Sequence, residues 1–154
     1  MSGWPSIQST STTLLSSDTT SQYLVAILDG GSGGVPHYST DYGVTWTAAT
    51  GVPSVSNAVF NVSTSASGQY VLLAYIVGVN GTGTLYTSSD YGATYAALST
   101  LPSASSFTQA AQNSDGTIQI VGSNDQGFGN GYLFVSADSG ATWPSYSLSL
   151  SPVI

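Results

Sequence analysis

The chain has 154 residues and a net charge of −7, and all seven of its charged side chains are aspartates. Phosphate backbones and anionic lipid headgroups are held mainly by lysine and arginine, so we expect no nucleic-acid binding and no attachment to a membrane surface. The absence of cysteine excludes disulfides and thiolate chemistry, and a hydrophobic content of 41% indicates a folded chain.

The N-terminal segment "MSGWPSIQST" has neither the basic region nor the apolar region of a secretory signal peptide. The longest apolar run, residues 70–79, is about half of the ~20 residues that a membrane-spanning helix needs. We therefore expect no membrane insertion, and no signal peptide is visible.

The first strong element in chain order is the apolar stretch 21–28, which is followed by a glycine-rich segment and then by "YSTDYGVTWT" at 38–47. The near-continuous hydrophobicity of the stretch is typical of a strand buried on both faces. The glycine-rich segment is typical of a hairpin turn. The final block predicts a third strand, a tight turn and a short fourth strand.

The same order of elements returns twice along the chain. Its repeated block reappears as "YTSSDYGATYA" and as "FVSADSGATWP", so that Asp41, Asp90 and Asp138 lie 49 and 48 residues apart. Four short strands in about 48 residues correspond to one propeller blade. The sequence therefore predicts an all-β chain of three four-stranded blades. Their approximate limits are 8–55, 56–104 and 105–154, with 2–7 as a candidate extra outer strand.

The block follows the order S-x-D-x-G-x-T-W in its first and third copies, and the second copy has Tyr95 in place of tryptophan. In this pattern the chain resembles the Asp-box (BNR) repeat family, which includes sialidases, sortilin-type receptors and some glycoside hydrolases. More loosely, it is similar to propeller-like repeat proteins of large DNA viruses. The resemblance implies a β-propeller with the motifs on its rim, away from the axial face where ligands bind.

We predict a structural role for the motif residues, because aspartate accepts hydrogen bonds in a turn and glycine supplies positive φ. The aromatic residue is expected to pack inward. A calcium role is weaker, because each motif offers only one carboxylate. The motif residues are Ser39, Asp41, Gly43, Thr45 and Trp46, then Ser88, Asp90, Gly92, Thr94 and Tyr95, then Ser136, Asp138, Gly140, Thr142 and Trp143.

Candidate binding residues lie in the glycine-rich segments. Asp29 and Asp125, with the aromatic Phe128 and Tyr132, are candidates for a polar ligand, although solvated loop residues are the more ordinary interpretation. Sialidase chemistry needs arginines and a tyrosine–glutamate pair, which the chain lacks. The single histidine, His37, has no partner for a metal site or a catalytic triad. We expect no cofactor and no metal.

Three blades are fewer than the four to eight that usually close a propeller. We predict a homo-oligomer, most simply a dimer with six blades, or a larger assembly with other subunits or further blades. We expect a non-enzymatic binding or assembly protein of an exposed surface, such as a virion, a cell envelope or an extracellular structure. A lectin-like module that stacks tyrosine and tryptophan on neutral glycans is the alternative, and a glycoside hydrolase is the least favoured.

Overall fold

The computed structural model describes residues 14–29, 34–54, 58–77, 83–98, 107–124 and 131–148. Within these ranges the chain forms twelve β-strands and no helix. The predicted extra strand at 2–7 lies outside the described residues. In chain order the strands are β1 (Leu14–Ser17), β2 (Leu24–Asp29), β3 (Gly34–Ser39), β4 (Thr47–Ala48), β5 (Ala58–Thr64), β6 (Val71–Val77), β7 (Gly83–Ser88), β8 (Ala96–Ala97), β9 (Phe107–Gln112), β10 (Gln119–Asn124), β11 (Gly131–Ser136) and β12 (Ser145–Leu148).

The strands form three antiparallel sheets of four, and in each sheet the strands are neighbours in the order of the sequence. We call the sheets blade 1 (β1 to β4), blade 2 (β5 to β8) and blade 3 (β9 to β12). Because strands that follow each other in the sequence are antiparallel neighbours, each sheet is a simple meander. The predicted all-β fold of four-stranded blades is confirmed.

Blade 2 lies between the other two blades and is covered on both of its faces. Residues 71–75 of β6 are each at most 2% exposed. Because successive side chains of a strand point to opposite faces, Leu73 packs toward blade 1 and Leu72 packs toward blade 3. The continuous apolar run therefore reflects a strand with a neighbouring blade on each side, as predicted for such a pattern.

Two apolar seams hold the blades together. Seam 1, between blades 1 and 2, contains the buried residues Val25, Ile27, Ala49, Val52, Val71, Leu73, Tyr75, Tyr86 and Tyr95. Seam 2, between blades 2 and 3, contains Leu72, Ala74, Leu85, Phe107, Val121, Phe134 and Trp143. The hydrophobic core is thus divided into two layers, each made by facing sheets.

The first strands of the blades lie side by side, since β1 contacts β5 and β5 contacts β9. Polar bonds join them: the hydroxyls of Ser16 and Thr64 are 2.7 Å apart, and the Ala110 N–H donates to Asn61 Oδ1 at 2.9 Å. The fourth strand of each blade is at the opposite edge of its sheet. This arrangement is that of adjacent propeller blades around an axis, and the ring of three blades is not closed.

A backbone ladder also crosses both seams, at one equivalent residue of each blade. The Thr19 N–H donates to the Ala66 carbonyl at 3.1 Å, and the Ala66 N–H donates to the Ser114 carbonyl at 2.9 Å. The ladder ends with the Ser114 N–H on blade 3 and the Thr19 carbonyl on blade 1.

Close approach of the blades requires glycine at one position. Gly68 of blade 2 has a φ of +77°, and a Cβ there would lie 2.6 Å from the Cβ of Tyr23 in blade 1. Gly116 of blade 3 has the same relation to Tyr70, at 2.8 Å. Blade 1 has Ser21 at the equivalent position, with a φ of 61°.

We expect Gly68→Ala to lower the free energy of unfolding by about 2–5 kcal/mol, because it adds left-handed strain and overpacks seam 1. The control is Ser21→Ala, which keeps a Cβ at the equivalent position and should change stability by less than about 0.5 kcal/mol. Urea unfolding followed by tryptophan fluorescence measures both. Equal losses in the two variants would contradict the tight approach at Gly68.

Candidate functional site

The repeated motif forms the turn between the third and fourth strands of each blade. In blade 1 the Val44 N–H donates to the Asp41 carbonyl at 3.2 Å. The two residues between them have positive φ, 61° at Tyr42 and 81° at Gly43. Such a pair makes a type I′ turn, whose twist matches that of the flanking strands. The sequence predicted positive φ only at the glycine, so the left-handed tyrosine is a finding of the structure.

The motif aspartate is surrounded by donors from its own turn. Asp41 accepts hydrogen bonds from the Ser39 hydroxyl at 2.8 Å, from the Thr45 N–H at 2.8 Å and from the Thr45 hydroxyl at 2.7 Å. The same three bonds, at 2.6 to 2.9 Å, are received by Asp90 and Asp138. Each carboxylate therefore fixes the path of the turn that follows it.

These hydrogen bonds favour the ionised carboxylates. The backbone N–H and the hydroxyl of Thr45 hold the pKa of Asp41 below its ordinary value of 3.8. Bonds from the side chain and backbone of Thr142 lower the pKa of Asp138 to about 2. Burial opposes the shift at Asp90, but hydrogen bonds outweigh it and the pKa is lowered there too. Carboxylates in this state are unsuited to donating a proton near neutral pH.

The motif tryptophan donates a hydrogen bond to its own turn in blades 1 and 3, and the tyrosine of blade 2 does not. Trp46 Nε1 donates to the Gly43 carbonyl at 3.0 Å, and Trp143 Nε1 donates to the Gly140 carbonyl at 3.0 Å. Tyr95 of blade 2 is 6% exposed, and its hydroxyl has no partner in the described part of the chain. Burial raises the pKa of Tyr95.

Of the four predicted ligand residues, the structure describes Asp29 and Tyr132. Asp29 ends β2, where it pairs with Gly34 of β3. Tyr132 is half-buried, packs against seam 2 and stacks on Phe134 with ring centroids 6.4 Å apart. Asp125 and Phe128 lie outside the described residues, so the proposed binding role of these side chains stays a prediction.

His37 lies in β3, half-buried, with Nδ1 3.0 Å from the Val35 carbonyl. Among the described residues no three histidine, cysteine, aspartate or glutamate side chains are grouped as a metal site would require. The described part of the chain also holds no helix with the length and apolarity needed to span a bilayer.

Two positions meet across each seam, on the motif side of the blades. We call the residue directly before the second strand of each blade the strand position; it is Tyr23, Tyr70 or Ile118 in blades 1, 2 and 3. We call the residue directly before the motif glycine the turn position; it is Tyr42, Tyr91 or Ser139 in the same order. In seam 1, Tyr23 and Tyr91 stack with ring centroids 4.1 Å apart. In seam 2 the pair is Tyr70 and Ser139, and Tyr70 has no aromatic partner among the described residues.

A cavity of about 270 Å³ lies in seam 2, where the stack is missing. Tyr70 and Thr87 line it from blade 2, and Gln119 and Ser139 line it from blade 3. Gln119 is only 2% exposed. Its Nε2 donates to the Gly116 carbonyl at 3.3 Å, while its Oε1 has no partner in the described residues. An unpaired buried oxygen beside a cavity marks a place where a ligand donor would be stabilised.

The cavity was not predicted from the sequence, although a signal for it exists. The third motif reads D-S-G where the first two read D-Y-G, and a glutamine interrupts the apolar stretch of the third repeat. Strand register shows that these changes fall on one spot: Thr87, Gln119 and Ser139 stand where seam 1 has Tyr38, Val71 and Tyr91. Only the fold reveals that residues from two different repeats meet there.

Comparison with solved structures places the chain among propeller proteins. It is similar to the GH74 xyloglucanase from Xanthomonas campestris, with a TM-score of 0.63 and 16% identity over 85% of this chain and 20% of that one. It is also similar to YCF48 bound to D1 peptide, with a TM-score of 0.59 and 19% identity over 92% of this chain and 42% of that one. A fructofuranosidase from Schwanniomyces occidentalis complexed with fructose matches with a TM-score of 0.46 and 16% identity, over 88% of this chain and 33% of that one.

No family model matches the chain, and no curated protein matches it in sequence. The propeller-type fold is therefore shared with known proteins, while membership of the Asp-box family stays a prediction. Because the chain spans only 20% of the xyloglucanase and 42% of YCF48, the activities of those whole proteins do not transfer with the fold.

These similarities correct the prediction that the protein is not an enzyme. That prediction is wrong, because blades of this fold form part of a glycoside hydrolase, the GH74 xyloglucanase. The fold is found both in a hydrolase and in a peptide-bound protein, so it is compatible with catalysis as well as with binding.

The pKa shifts of the motif aspartates predict an acid-sensitive fold. Because the folded pKa is depressed, each carboxylate stabilises the fold fully above its ordinary pKa of 3.8, and this is lost as the pH falls through the folded pKa, about 2 for Asp138. We expect the Tm to fall between about pH 4 and pH 2. Asp138→Asn should lower the Tm at neutral pH and flatten this decline. An identical decline in the variant, measured by circular dichroism, would contradict the assignment.

The unpaired hydroxyl of Tyr95 predicts an unusual response to its removal. Tyr95→Phe should leave stability unchanged or raise it by about 1 kcal/mol, because an unsatisfied buried hydroxyl costs free energy. Tyr75→Phe is the matched control, since the Tyr75 hydroxyl donates to the Pro53 carbonyl at 3.4 Å. That variant should lose about 0.5–1 kcal/mol in urea unfolding. A comparable loss in both variants would show that Tyr95 has a partner.

Proposed function

We propose that the protein is a β-propeller subunit that binds and assembles through the outer faces of its first and last blades, which join two copies head to tail. The observation that carries this proposal is the position of the large exposed hydrophobic side chains. Among the described residues, all of them lie on or beside these two faces. They are Leu15 (62% exposed), Tyr42 (52%) and Val44 (57%) on blade 1, and Ile118 (45%) and Ile120 (39%) on blade 3.

The exposed residues are the unpaired halves of contacts that the internal seams complete. Ile120 of blade 3 is equivalent to Val25 and Leu72, which are 1% and 0% exposed within seams 1 and 2. Leu15 of blade 1 is equivalent to Val62, which packs against seam 1. A blade placed against either face would therefore meet a surface already shaped for a blade.

The stacked pair of seam 1 has a counterpart at the proposed joint. Ile118 occupies the strand position of blade 3, and Tyr42 occupies the turn position of blade 1. Tyr42 has a φ of 61°, close to the 63° of the stacked Tyr91, although no ring covers it among the described residues. In a head-to-tail contact Ile118 of one copy faces Tyr42 of the next.

The backbone ladder also supports a head-to-tail joint. Its terminal donor on blade 3, the Ser114 N–H, would meet its terminal acceptor on blade 1, the Thr19 carbonyl of the second copy. Head-to-tail contacts of this kind close into a ring when the rotation per copy permits it. Two copies of three blades give six, within the usual range for propellers.

One residue makes the proposed joint different from the internal seams. Ser21 of blade 1 stands where Gly68 and Gly116 allow close approach, and in the joint it faces Ile118 in place of a tyrosine. A Cβ at Gly68 would lie 2.6 Å from the facing Cβ, so the joint must be wider at this point. Its association is therefore weaker than the packing within a chain.

The setting that we propose is an exposed surface, such as a virion, a cell envelope or an extracellular structure. The support is compositional: without lysine or arginine the chain offers no site for trypsin-type proteases. The similarity to YCF48 bound to D1 peptide supports a role in which the fold is used for binding.

Analytical ultracentrifugation tests the head-to-tail joint. The wild-type chain should sediment at twice its mass of 15.6 kDa. Ile120→Asp damages the blade 3 face and Tyr42→Asp damages the blade 1 face, and each variant alone should shift toward monomer. Ala97→Asp is the control, because it adds the same charge at an exposed residue of β8, away from both faces.

Mixing the two damaged variants separates a head-to-tail joint from a symmetric one. The mixture should form a heterodimer, since one joint then combines the intact blade 3 face of one variant with the intact blade 1 face of the other. A monomeric wild type at all concentrations would overturn the proposal. Dimerisation abolished by only one of the two substitutions, with no rescue on mixing, would also overturn it.

A further inference from the structure

We propose that the seam 2 cavity binds one neutral pyranose ring, which stacks on Tyr70 and donates a hydroxyl hydrogen bond to Gln119. The cavity lies within one chain, between blades 2 and 3, so this site does not depend on the joining of two copies. Its described lining residues differ from those that the sequence suggested for ligand binding.

The cavity differs from an ordinary packing defect in its chemistry. Its three replacements relative to seam 1 are tyrosine to Thr87, valine to Gln119 and tyrosine to Ser139. The glutamine adds an amide, and the two tyrosine replacements remove an aromatic ring but keep a hydroxyl. Loss of bulk alone would leave an apolar void, which costs stability and stays dry. Here the lost bulk is accompanied by hydrogen-bonding groups, as in a ligand pocket.

Size and charge restrict the ligand. The volume of about 270 Å³ is just below the roughly 300–1,000 Å³ of pockets for drug-sized ligands, so one ring fits inside it. None of the described residues that line the cavity is charged. Anionic sugars would therefore lose their hydration without gaining a cation.

The walls match the two sides of a sugar ring. Tyr70 offers a half-exposed aromatic face in the place where seam 1 stacks Tyr23 on Tyr91, so a flat apolar C–H face fits against it. The polar wall requires a hydrogen-bond donor from the ligand, because Gln119 Oε1 is buried without a partner among the described residues. The hydroxyls of Thr87 and Ser139 can donate or accept, which suits a ligand with several hydroxyl groups.

A tyrosine side chain of a partner protein is the competing occupant, since Tyr91 fills the equivalent space in seam 1. The surroundings favour the sugar. Seam 1 has Tyr38 and Val71 at the two positions where the cavity presents Thr87 and Gln119. A phenol has one hydroxyl group, and a pyranose has enough hydroxyl groups to satisfy the polar walls.

Saturation-transfer NMR and calorimetric titration with the methyl glycosides of glucose, galactose and mannose test the site, with sialic acid as the anionic probe and N-acetyltyrosinamide as the phenol probe. At least one neutral glycoside should bind saturably to the wild-type chain, and sialic acid should not bind. Ser139→Tyr should abolish binding, because it fills the cavity with the side chain that blades 1 and 2 already carry at this position. Retention of the wild-type Tm or a higher one shows that this variant folds.

Gln119→Val introduces the seam 1 residue and should weaken binding by at least about tenfold, because it removes the buried acceptor. Gln109→Val is the control: it makes the same substitution at an exposed glutamine of β9 that does not line the cavity, and it should leave binding unchanged. Binding that survives Ser139→Tyr, or a wild-type chain that binds no neutral glycoside, would overturn the proposal. Preferential binding of N-acetyltyrosinamide would overturn it in favour of a peptide ligand.

Discussion

The rest of the structure depends on the packing of each blade against the next. The chain has few charged side chains, and the apolar faces of its sheets must be covered by neighbouring blades. Blade 2 meets this requirement fully: Leu72 and Leu73 are both 0% exposed and point into opposite seams. At roughly 25 cal/mol per Å² of apolar surface, burial of such side chains is the main stabilising contribution. Blades 1 and 3 each have only one covered face, and this asymmetry follows directly from a row of three.

The motif turn serves this packing more than it serves chemistry. Its aspartate, held by donors from the following threonine, fixes a type I′ turn that places one residue in the left-handed region. For a tyrosine this conformation costs about 1–2 kcal/mol, which the stack of Tyr91 on Tyr23 and the burial that accompanies it offset. The same left-handed conformation occurs at Tyr42 and Ser139 without such a stack, so the turn itself imposes it and the contact with the neighbouring blade offsets its cost at Tyr91.

Much of the fold could be predicted from the sequence, because the spacing of Asp41, Asp90 and Asp138 sets the repeat and the repeat sets the number of strands. The candidate site could not, for physical reasons. The cavity arises where Ser139 of one repeat faces Tyr70 of the previous one, and such cross-repeat contacts depend on blade order and register. The prediction that the protein is not an enzyme failed for a related reason. It rests on the residue types needed for particular mechanisms, whereas one fold can support many different activities.

The motif turn and the contacts across the seams depend on different residues of each repeat, so one can vary without the other. The turn geometry depends on the aspartate, the serine before it and the threonine after it, and these keep the same hydrogen bonds in all three blades. The strand and turn positions lie outside that network. They form an aromatic stack in seam 1 and a polar cavity in seam 2, while Ile118 and Tyr42 stay uncovered at the two ends. A repeat of this kind can therefore change the contacts within a seam at little cost to the blade, because the hydrogen bonds that define the turn are left in place.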